Sequence, residues 1–265
     1  MSCAVPILMY HSVKEDPPVA TRSLSVRPSD LRWQLSYLRE NGFTGLTFGD
    51  FCEMTWTGDQ LPARPVVLTF DDGYADVHEV ALPLLREYGF TATVFVTTGW
   101  MRDAGRWSKG HPLDHMMAWS QVEELRESGI EVAAHSHSHP QLDQLSDRHL
   151  RDELSLGKSL LEDRLGQAVP SLAYPFGYSS RRVRRAAEAA GFRHAASVAN
   201  AAAGSDSDTF AVPRLTVRRS TSLEVFGRVA SCRDLRQIFW MDHVLTGGFA
   251  VLRRSRRAIR TLSGA

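Results

Sequence analysis

Cysteine is scarce in this chain and is not arranged in pairs. The 265 residues include three cysteines, Cys3, Cys52 and Cys232, and no two of them have CxxC spacing. An odd number without that spacing argues against a disulfide framework and against a structural zinc site built from cysteine. We therefore expect ordinary thiols at these positions.

An excess of charge of one sign is also missing. Lys and Arg together number 31, and Asp and Glu together number 30. Without a strong overall field, nucleic acid is not an expected partner.

Long apolar runs are absent as well. The N-terminal residues lack the basic segment and extended apolar stretch of a signal peptide, and no later run reaches membrane-spanning length. These absences predict a cytoplasmic protein.

The C-terminal end is rich in arginine. Five arginines lie there, at Arg253, Arg254, Arg256, Arg257 and Arg260. Apolar residues between them recur at near-helical spacing, so we predict a helical extension over residues 231–265. The favoured interpretation is a helix packed on the main domain with solvated arginines. The alternative is an amphipathic helix in peripheral contact with an anionic membrane.

What the chain does contain is an alternation of short β-rich runs and helical patterns. Hydrophobic residues make up 43% of the sequence, enough for one large α/β domain. The alternation is typical of a parallel sheet or barrel. The predicted strands cover residues 5–9, 66–70, 91–96, 130–134, 193–198 and 211–217, with a short one leading into Ala173. The predicted helices begin at Pro28, Ala75, the capping-box pattern Ser120 to Glu123, Asp147 and Ser180.

Two groups of polar residues follow predicted strands. Asp71 and Asp72 end one apolar run, and His135, His137 and His139 come just after another. Carboxyl ends of parallel strands are where catalytic groups collect, so the two groups can converge. One Asp with two His leaves a divalent metal with an open position for water, and a second Asp is free to accept a proton from that water.

Each group also has a structural interpretation. An Asp-Asp-Gly sequence after a strand is often only a turn that caps the next helix. A histidine cluster before a proline can be a solvated loop. Both groups lie at strand ends, however, and this joint placement favours a metal hydrolase site.

These residues resemble the motifs of the polysaccharide deacetylases, carbohydrate esterase family 4 or NodB-homology proteins. The resemblance rests on Thr69 to Tyr74, on His135-Ser136-x-x-His139-Pro140 and on Tyr174 to Gly177. Their order and spacing match over most of the chain. The opening Pro6 to His11 and the Pro213-Arg214-Leu215 segment are similar to a branch that acts on poly-N-acetylglucosamine-like polymers.

The resemblance implies a distorted (β/α) barrel in a single catalytic domain, over residues 1–230. It also implies that Asp71 is the general base and that the backbone N–H of Phe176 stabilises the oxyanion. The implied metal ligands are Asp72, His135 and His139. Zn²⁺ is the expected ion, and the same donor set also accepts Co²⁺, Ni²⁺ or Fe²⁺.

The sequence departs from the family pattern at two positions. No histidine follows Leu215, where many members carry the general acid, so we expect His11 to supply it, with His194 as the alternative. Ala173 stands where many members carry an Arg that orients the base. We expect Arg214 to hold Asp71 by bidentate contact instead; the competing interpretation is a surface arginine.

The loop after the predicted strand at 91–96 is rich in tryptophan. Trp100, Trp107 and Trp119 lie in it or beside it. They predict either a substrate wall on which sugar rings stack or anchors that hold the loop on the core.

The function expected from the resemblance is removal of an N-acetyl group from an amino sugar in a glycan, glycolipid or small glycoconjugate. Two alternatives stay open at this point. One keeps the fold and the metal but acts on an O-acetyl ester or on a cyclic amide, as allantoinases do. The other is a catalytically silent carbohydrate-binding protein, which the departures at Ala173 and after Leu215 suggest. Oligomeric state has no signature in the sequence.

Overall fold

The computed structural model of the protein describes residues 4–244. The strands of this part are β1 Ile7–Tyr10, β2 Ser12–Val13, β3 Ser25–Val26, β4 Thr44–Leu46, β5 Pro65–Phe70, β6 Thr93–Val96, β7 Glu131–Ala134, β8 Ser171–Ala173, β9 His194–Ala196 and β10 Leu215–Thr216. Its helices are α1 Pro28–Glu40, α2 Phe48–Thr57, α3 Leu82–Tyr88, α4 Trp119–Glu127, α5 Asp147–Leu165, α6 Arg181–Ala189, α7 Leu223–Ala230 and α8 Leu235–Ile238.

Eight of the strands form one parallel sheet that curves into a barrel. Its order is β10-β1-β5-β6-β7-β8-β9, and β4 pairs with the first half of β5. Leu215 of β10 pairs with Leu8, while Val212, three residues earlier, bridges to Ala196 of β9. One stretch of chain therefore contacts both edge strands. The predicted distorted (β/α) barrel is confirmed.

Side chains alternate between the inside of the barrel and the surrounding helices. The outward positions join the large cluster that packs under the helices, and the inward ones form a second, smaller cluster. That inner cluster is Val5, Ile7, Phe48, Phe51, Cys52, Val67, Phe95, Ala133, Ala173, Ala196, Ala203 and Val212. Because three of the strands contribute only alanine, the interior has room for large side chains from elsewhere.

The helix α2 and the strand β4 were not predicted from the sequence. Residues 44–57 nevertheless fill the barrel, because Phe48 packs against Phe95 with ring centroids 5.6 Å apart. Thr47 caps the helix by accepting a hydrogen bond from the Asp50 N–H, and Gly58 ends it in the left-handed region. These two cap signals were present in the sequence.

The helix α4 begins one residue before its predicted start, but the capping box predicted at Ser120 to Glu123 is wrong. The helix begins at Trp119, after Ala118. The first backbone donors are satisfied from outside the expected box, since the Asp103 carboxylate accepts from the Trp119 N–H and the Gln121 side chain accepts from the Ala118 N–H. The other predicted helices begin within two residues of the observed ones or, at Ala75, with a π-helical turn, Val77–Ala81, that runs into α3.

Within residues 4–244, no helix combines the length and apolarity needed to cross a membrane. The predicted arginine-rich helix and its peripheral membrane contact fall outside the described residues. The boundary at residue 230 stays a prediction, although Phe239, beyond it, is buried in the large cluster.

Candidate active site

An open cleft of about 630 Å³ lies at the carboxyl ends of the barrel strands. This is where loops from different strands meet in such folds. The cleft is lined by Met9, His11, Leu24, Asp71, Asp72, Trp100, His111, Leu113, His135, Ser138, His139, Tyr174, Phe176, Gly177, Val198, Thr216 and Arg218. Six of the seven residues expected in the site therefore lie on its wall, and Arg214 is the exception.

Asp72, His135 and His139 bring three ligand atoms together. Asp72 Oδ1 lies 3.4 Å from His135 Nε2 and 3.3 Å from His139 Nε2. All three ligand atoms fall within 4.8 Å of one another. One carboxylate oxygen and two imidazole nitrogens at this separation suit a small divalent cation.

The hydrogen bonding of these side chains also fits a metal. Asp72 Oδ1 is buried and takes no hydrogen bond from any described residue. His135 Nδ1 lies 2.9 Å from the carbonyl oxygen of Ala173, so that nitrogen carries the proton and Nε2 is left as a ligand atom. A buried acceptor without a donor is costly, and a bound cation would remove that cost.

Burial favours the neutral form of all three side chains. It raises the pKa of Asp72 to about 7, with a further contribution from the neighbouring Asp71 charge. Burial lowers the pKa of His135, and it lowers that of His139 to about 3 with help from His135. The imidazoles are therefore neutral and ready to bind a metal at neutral pH.

Arg214 lies beneath Asp71, inside the barrel. Its Nη1 and Nη2 donate to Asp71 Oδ1 and Oδ2 at 2.6 and 2.7 Å. Nη1 also donates to Thr69 Oγ1, and the guanidinium lies over the Phe95 ring. The side chain of Arg214 is fully buried, so the interpretation as a surface arginine is wrong.

This pair decides the charge of Asp71. Burial alone would raise the pKa of the carboxyl, but the charge of Arg214, the nearby His135 and the hydrogen bonds from the guanidinium hold that pKa well below its usual value. Asp71 is thus ionised throughout the physiological range. The cation that is missing at Ala173 is supplied from the start of β10, which removes one reason for a catalytically silent protein.

Three residues of the site have backbones that residues other than glycine rarely adopt. Asp72, His139 and Phe176 have φ of 75°, 58° and 60°. Such conformations persist only where the surroundings enforce them, and they collect at functional sites. Phe176 is half exposed, and its ring packs edge-on against His139 with centroids 4.7 Å apart.

His11 follows β1 directly and lines the cleft. Burial lowers its pKa to about 4, and the charge of Asp71 opposes this shift only in part. His11 is therefore neutral at pH 7 in the free protein.

The structure does not bring His194 or His137 into the cleft. His194 opens β9 at the opposite end of the strands, where its Nε2 lies 2.9 Å from Ser171 Oγ. His137 turns away from the three ligands, and its Nδ1 lies 2.9 Å from Thr98 Oγ1. The geometry therefore favours His11 over His194 as the acid.

The three tryptophans divide between the two roles considered for them. Trp100 lines the cleft and packs on His139, with ring centroids 4.9 Å apart. Trp119 is buried in the core, and Trp107 is outside the cleft wall. Of the three, Trp100 alone lies where the predicted substrate wall would be.

Sequence reasoning missed several cleft residues. Leu24, His111, Leu113, Thr216 and Arg218 all line the cleft. Thr216 belongs to β10, the other four come from connections between strands, and no motif marks any of them. Only the order of the strands in the barrel brings these connections together.

Comparison with known proteins adds two findings. The family model described as "Polysaccharide deacetylase" matches residues 58–195, just over half of the chain. The Bacillus subtilis (strain 168) protein YxkH, whose name places it among polysaccharide deacetylases, is 30% identical over 224 residues, which are 84% of this chain and 75% of that protein.

Two further relatives differ in what they cover. The Escherichia coli (strain K12) poly-β-1,6-N-acetyl-D-glucosamine N-deacetylase is 34% identical over 135 residues, or 49% of this chain but only 20% of that protein. The solved structure of the Streptococcus pyogenes deacetylase PplD in complex with acetate has a TM-score of 0.78, covers 87% of this chain and 99% of that one, and is 24% identical. At that identity, the match shows a shared fold.

Proposed function

This chain belongs to the polysaccharide deacetylase family, and from that premise we propose that it hydrolyses the N-acetyl group of an amino sugar. The products are acetate and a free amine. The reaction depends on a divalent metal, for which we propose Zn²⁺, held by Asp72, His135 and His139.

One observation carries the proposal. A buried set of two imidazoles and a carboxylate lies beside a second carboxylate, Asp71, which Arg214 keeps ionised. A divalent ion at such a set lowers the pKa of a water molecule and polarises a carbonyl group. The neighbouring unligated carboxylate is then the base.

The remaining steps belong to side chains and backbone of this chain. Asp71 accepts the proton of the attacking water. The backbone N–H of Phe176 donates to the oxyanion that forms when water attacks the acetyl carbonyl. His11 donates a proton to the departing nitrogen.

To act as the general acid, His11 must carry a proton when the bond to the departing nitrogen breaks. Its pKa of about 4 in the free protein leaves it neutral at pH 7. Negative charge that develops on the attacked carbonyl raises this pKa in the complex, because opposite charges stabilise the protonated imidazole. His11 therefore takes up a proton from solvent as this charge develops and passes it to the departing nitrogen, while Asp71 keeps the proton of the attacking water and returns it to solvent after the products leave.

The shape of the cleft supports a sugar substrate. It is open on one side, and Trp100, Leu113 and Phe176 give it an apolar wall next to the polar centre. Sugar rings present apolar faces to such walls, while their polar groups face the charged residues. The name of the Escherichia coli relative favours N-acetylglucosamine units.

Chelation is the first test of this function. With N-acetylglucosamine oligomers as substrate, acetate release is expected to fall by at least about 10²-fold after dialysis against a chelator, because the water loses its activating ion. Added Zn²⁺ or Co²⁺ is expected to restore it. Acetate is measured enzymatically and bound metal by elemental analysis.

Full activity in protein shown to be metal-free would contradict the proposed mechanism. Activity on acetyl esters without any on N-acetyl sugars would contradict the proposed bond. Chelator followed by excess Zn²⁺ in the same sample is the control for damage during dialysis.

His11→Gln separates an acid from a structural residue. An amine is a poor leaving group and needs a proton, whereas 4-nitrophenolate leaves without one. We therefore expect kcat to fall by about 10²-fold on the N-acetyl substrate and to change little on 4-nitrophenyl acetate.

Equal losses on both substrates would mean that His11 shapes the site and does not act as the acid. His194→Gln is the matched control, because burial also lowers the pKa of His194 but this residue lies at the opposite end of the strands. We expect it to leave the ratio of the two activities unchanged.

A further inference from the structure

The segment between the two histidine ligands has an unfavourable backbone conformation. Ser136 and His139 have φ of 62° and 58°, and neither is a glycine. The Ser136 hydroxyl accepts a hydrogen bond from the His139 N–H at 3.1 Å, but this bond lies within the segment. Residues 136–139, here called the ligand loop, must therefore be held by their surroundings.

Glu153 of α5 provides the main contact. Its Oε2 accepts from the backbone N–H groups of His137 and Ser138 at 3.1 and 2.8 Å. Its Oε1 accepts from the Ser138 hydroxyl at 2.6 Å. The carboxylate is 5% exposed, so three bonds from one loop meet it in a largely dry environment.

One helical turn after Glu153, the same face of α5 carries Gly157, which leaves space for the backbone of the ligand loop. A Cβ added to Gly157 would lie 2.9 Å from the carbonyl carbon of Ser136 and 3.1 Å from the His137 nitrogen. Residues four apart share a helix face, so Glu153 and Gly157 form one seat. The glycine lets the loop backbone approach, and the carboxylate holds it there.

The other side of the loop is fixed as well. The Gly99 N–H donates to the His137 carbonyl oxygen at 2.7 Å, and Thr98 Oγ1 contacts the His137 ring. Lys109, two residues before the cleft residue His111, reaches Glu153 Oε1 at 3.3 Å. Glu153 thus joins the ligand loop to the segment that forms the cleft wall.

We propose that the seat formed by Glu153 and Gly157 on α5 sets the position of His139 as a metal ligand, with Glu153 as the positioning residue. The inference rests on the metal site of the proposed function. Glu153 touches neither the ligand atoms nor the cleft, and it acts through the backbone of His137 and Ser138.

Cobalt titration of the purified protein tests this role without measuring activity. We expect Glu153→Ala to weaken Co²⁺ affinity by about tenfold or more, the range found for residues that orient metal ligands, and to change the visible absorption bands of the bound ion. Gly157→Ala is expected to act in the same direction, although alanine favours the helix itself, because the added methyl group pushes the loop away.

Glu162→Ala on the same helix is the matched control. Glu162 also accepts a backbone hydrogen bond, from Val169 at 2.9 Å, and pairs with Lys158, but it is outside the site. Thermal unfolding of each metal-free variant reports its loss of stability. We expect Glu162→Ala to keep the Co²⁺ affinity and the spectrum of the wild type even if its unfolding temperature is lower.

The outcomes separate the two proposals. If Asp72→Asn binds Co²⁺ like the wild type, the metal site itself is wrong. If Asp72→Asn loses the ion while Glu153→Ala and Gly157→Ala keep wild-type affinity and spectrum, the seat is wrong and the metal site stands. Gly157→Ala alone decides the point should Glu153→Ala fail to fold.

Discussion

Asp71→Asn is expected to reduce acetate release by about 10³-fold while leaving bound metal unchanged. The amide has nearly the shape of the carboxylate but cannot accept the proton of the attacking water. Asp72, His135 and His139 are untouched, so the metal site keeps its ligands. The measurement is kcat on an N-acetylglucosamine oligomer together with metal content of the same sample.

Asp72→Asn is the natural comparison, since it lies one residue away and is also buried. It is expected to lose the metal and the activity together. Asp71→Asn also leaves the Arg214 charge without its counter-ion, so assays must run well below the unfolding temperature of the variant. Activity within tenfold of the wild type in folded, metal-loaded Asp71→Asn would exclude Asp71 as the base.

Arg214→Met should lower the free energy of unfolding by about 3–5 kcal/mol, because it leaves the carboxylate of Asp71 buried without a partner. Both residues are almost fully buried and share two short hydrogen bonds. The charge therefore cannot be screened by water. Chemical denaturation of the metal-free protein measures the loss.

The double variant Asp71→Asn with Arg214→Met removes both charges. Its loss of stability is expected to be clearly smaller than the sum of the two single losses, because neither buried group is then left charged. Additive losses would mean that the ion pair contributes nothing beyond the space its members fill.

Arg214→Met also has a pH signature. In the wild type, the guanidinium keeps the pKa of Asp71 low, so the base stays ionised as the pH falls. Without the guanidinium, burial dominates and raises that pKa. The acid limb of kcat/KM should consequently move to higher pH in the variant.

Much of the candidate site was accessible from the sequence because most of its charged residues come directly after strands. Asp71 and Asp72 come directly after β5, and His135 comes directly after β7. Parallel strands bring their carboxyl ends to one edge, so finding the strands was enough to bring these residues together. The contact between Arg214 and Asp71 was also expected and is present, although Arg214 directly precedes β10 and reaches Asp71 from inside the barrel, not from a carboxyl end.

Other features depend on contacts that no local pattern records. In the sequence, Glu153 looks like an ordinary charged residue of a long helix. Its carboxylate nevertheless accepts hydrogen bonds from the ligand loop, from residues fifteen and sixteen positions earlier. Gly157 costs helix stability and looks like a defect until the approach of Ser136 is known. Helix periodicity predicts which face is buried but not what lies against it.

The segment at residues 44–57 shows a different limit. β4 is short, partly exposed and lacks a β-branched run, so its pattern resembles a loop. The capping residues Thr47 and Gly58 are the only local signals of the helix that follows, and residues of these types are common in loops as well. Weak periodicity hid an element that supplies two aromatic side chains to the barrel interior.

Arg214 follows its partner along the chain by 143 residues. At ordinary rates of synthesis, on the order of 10 s separates the appearance of the two residues at the ribosome. During that interval the Asp71 carboxylate has no arginine to pair with, and burial of an unpaired charge is unfavourable, so we expect it to stay hydrated. We therefore expect Asp71 to become buried only when the closing stretch at residues 212–216 arrives, and any nascent or truncated chain that stops short of this stretch to be inactive and incompletely folded.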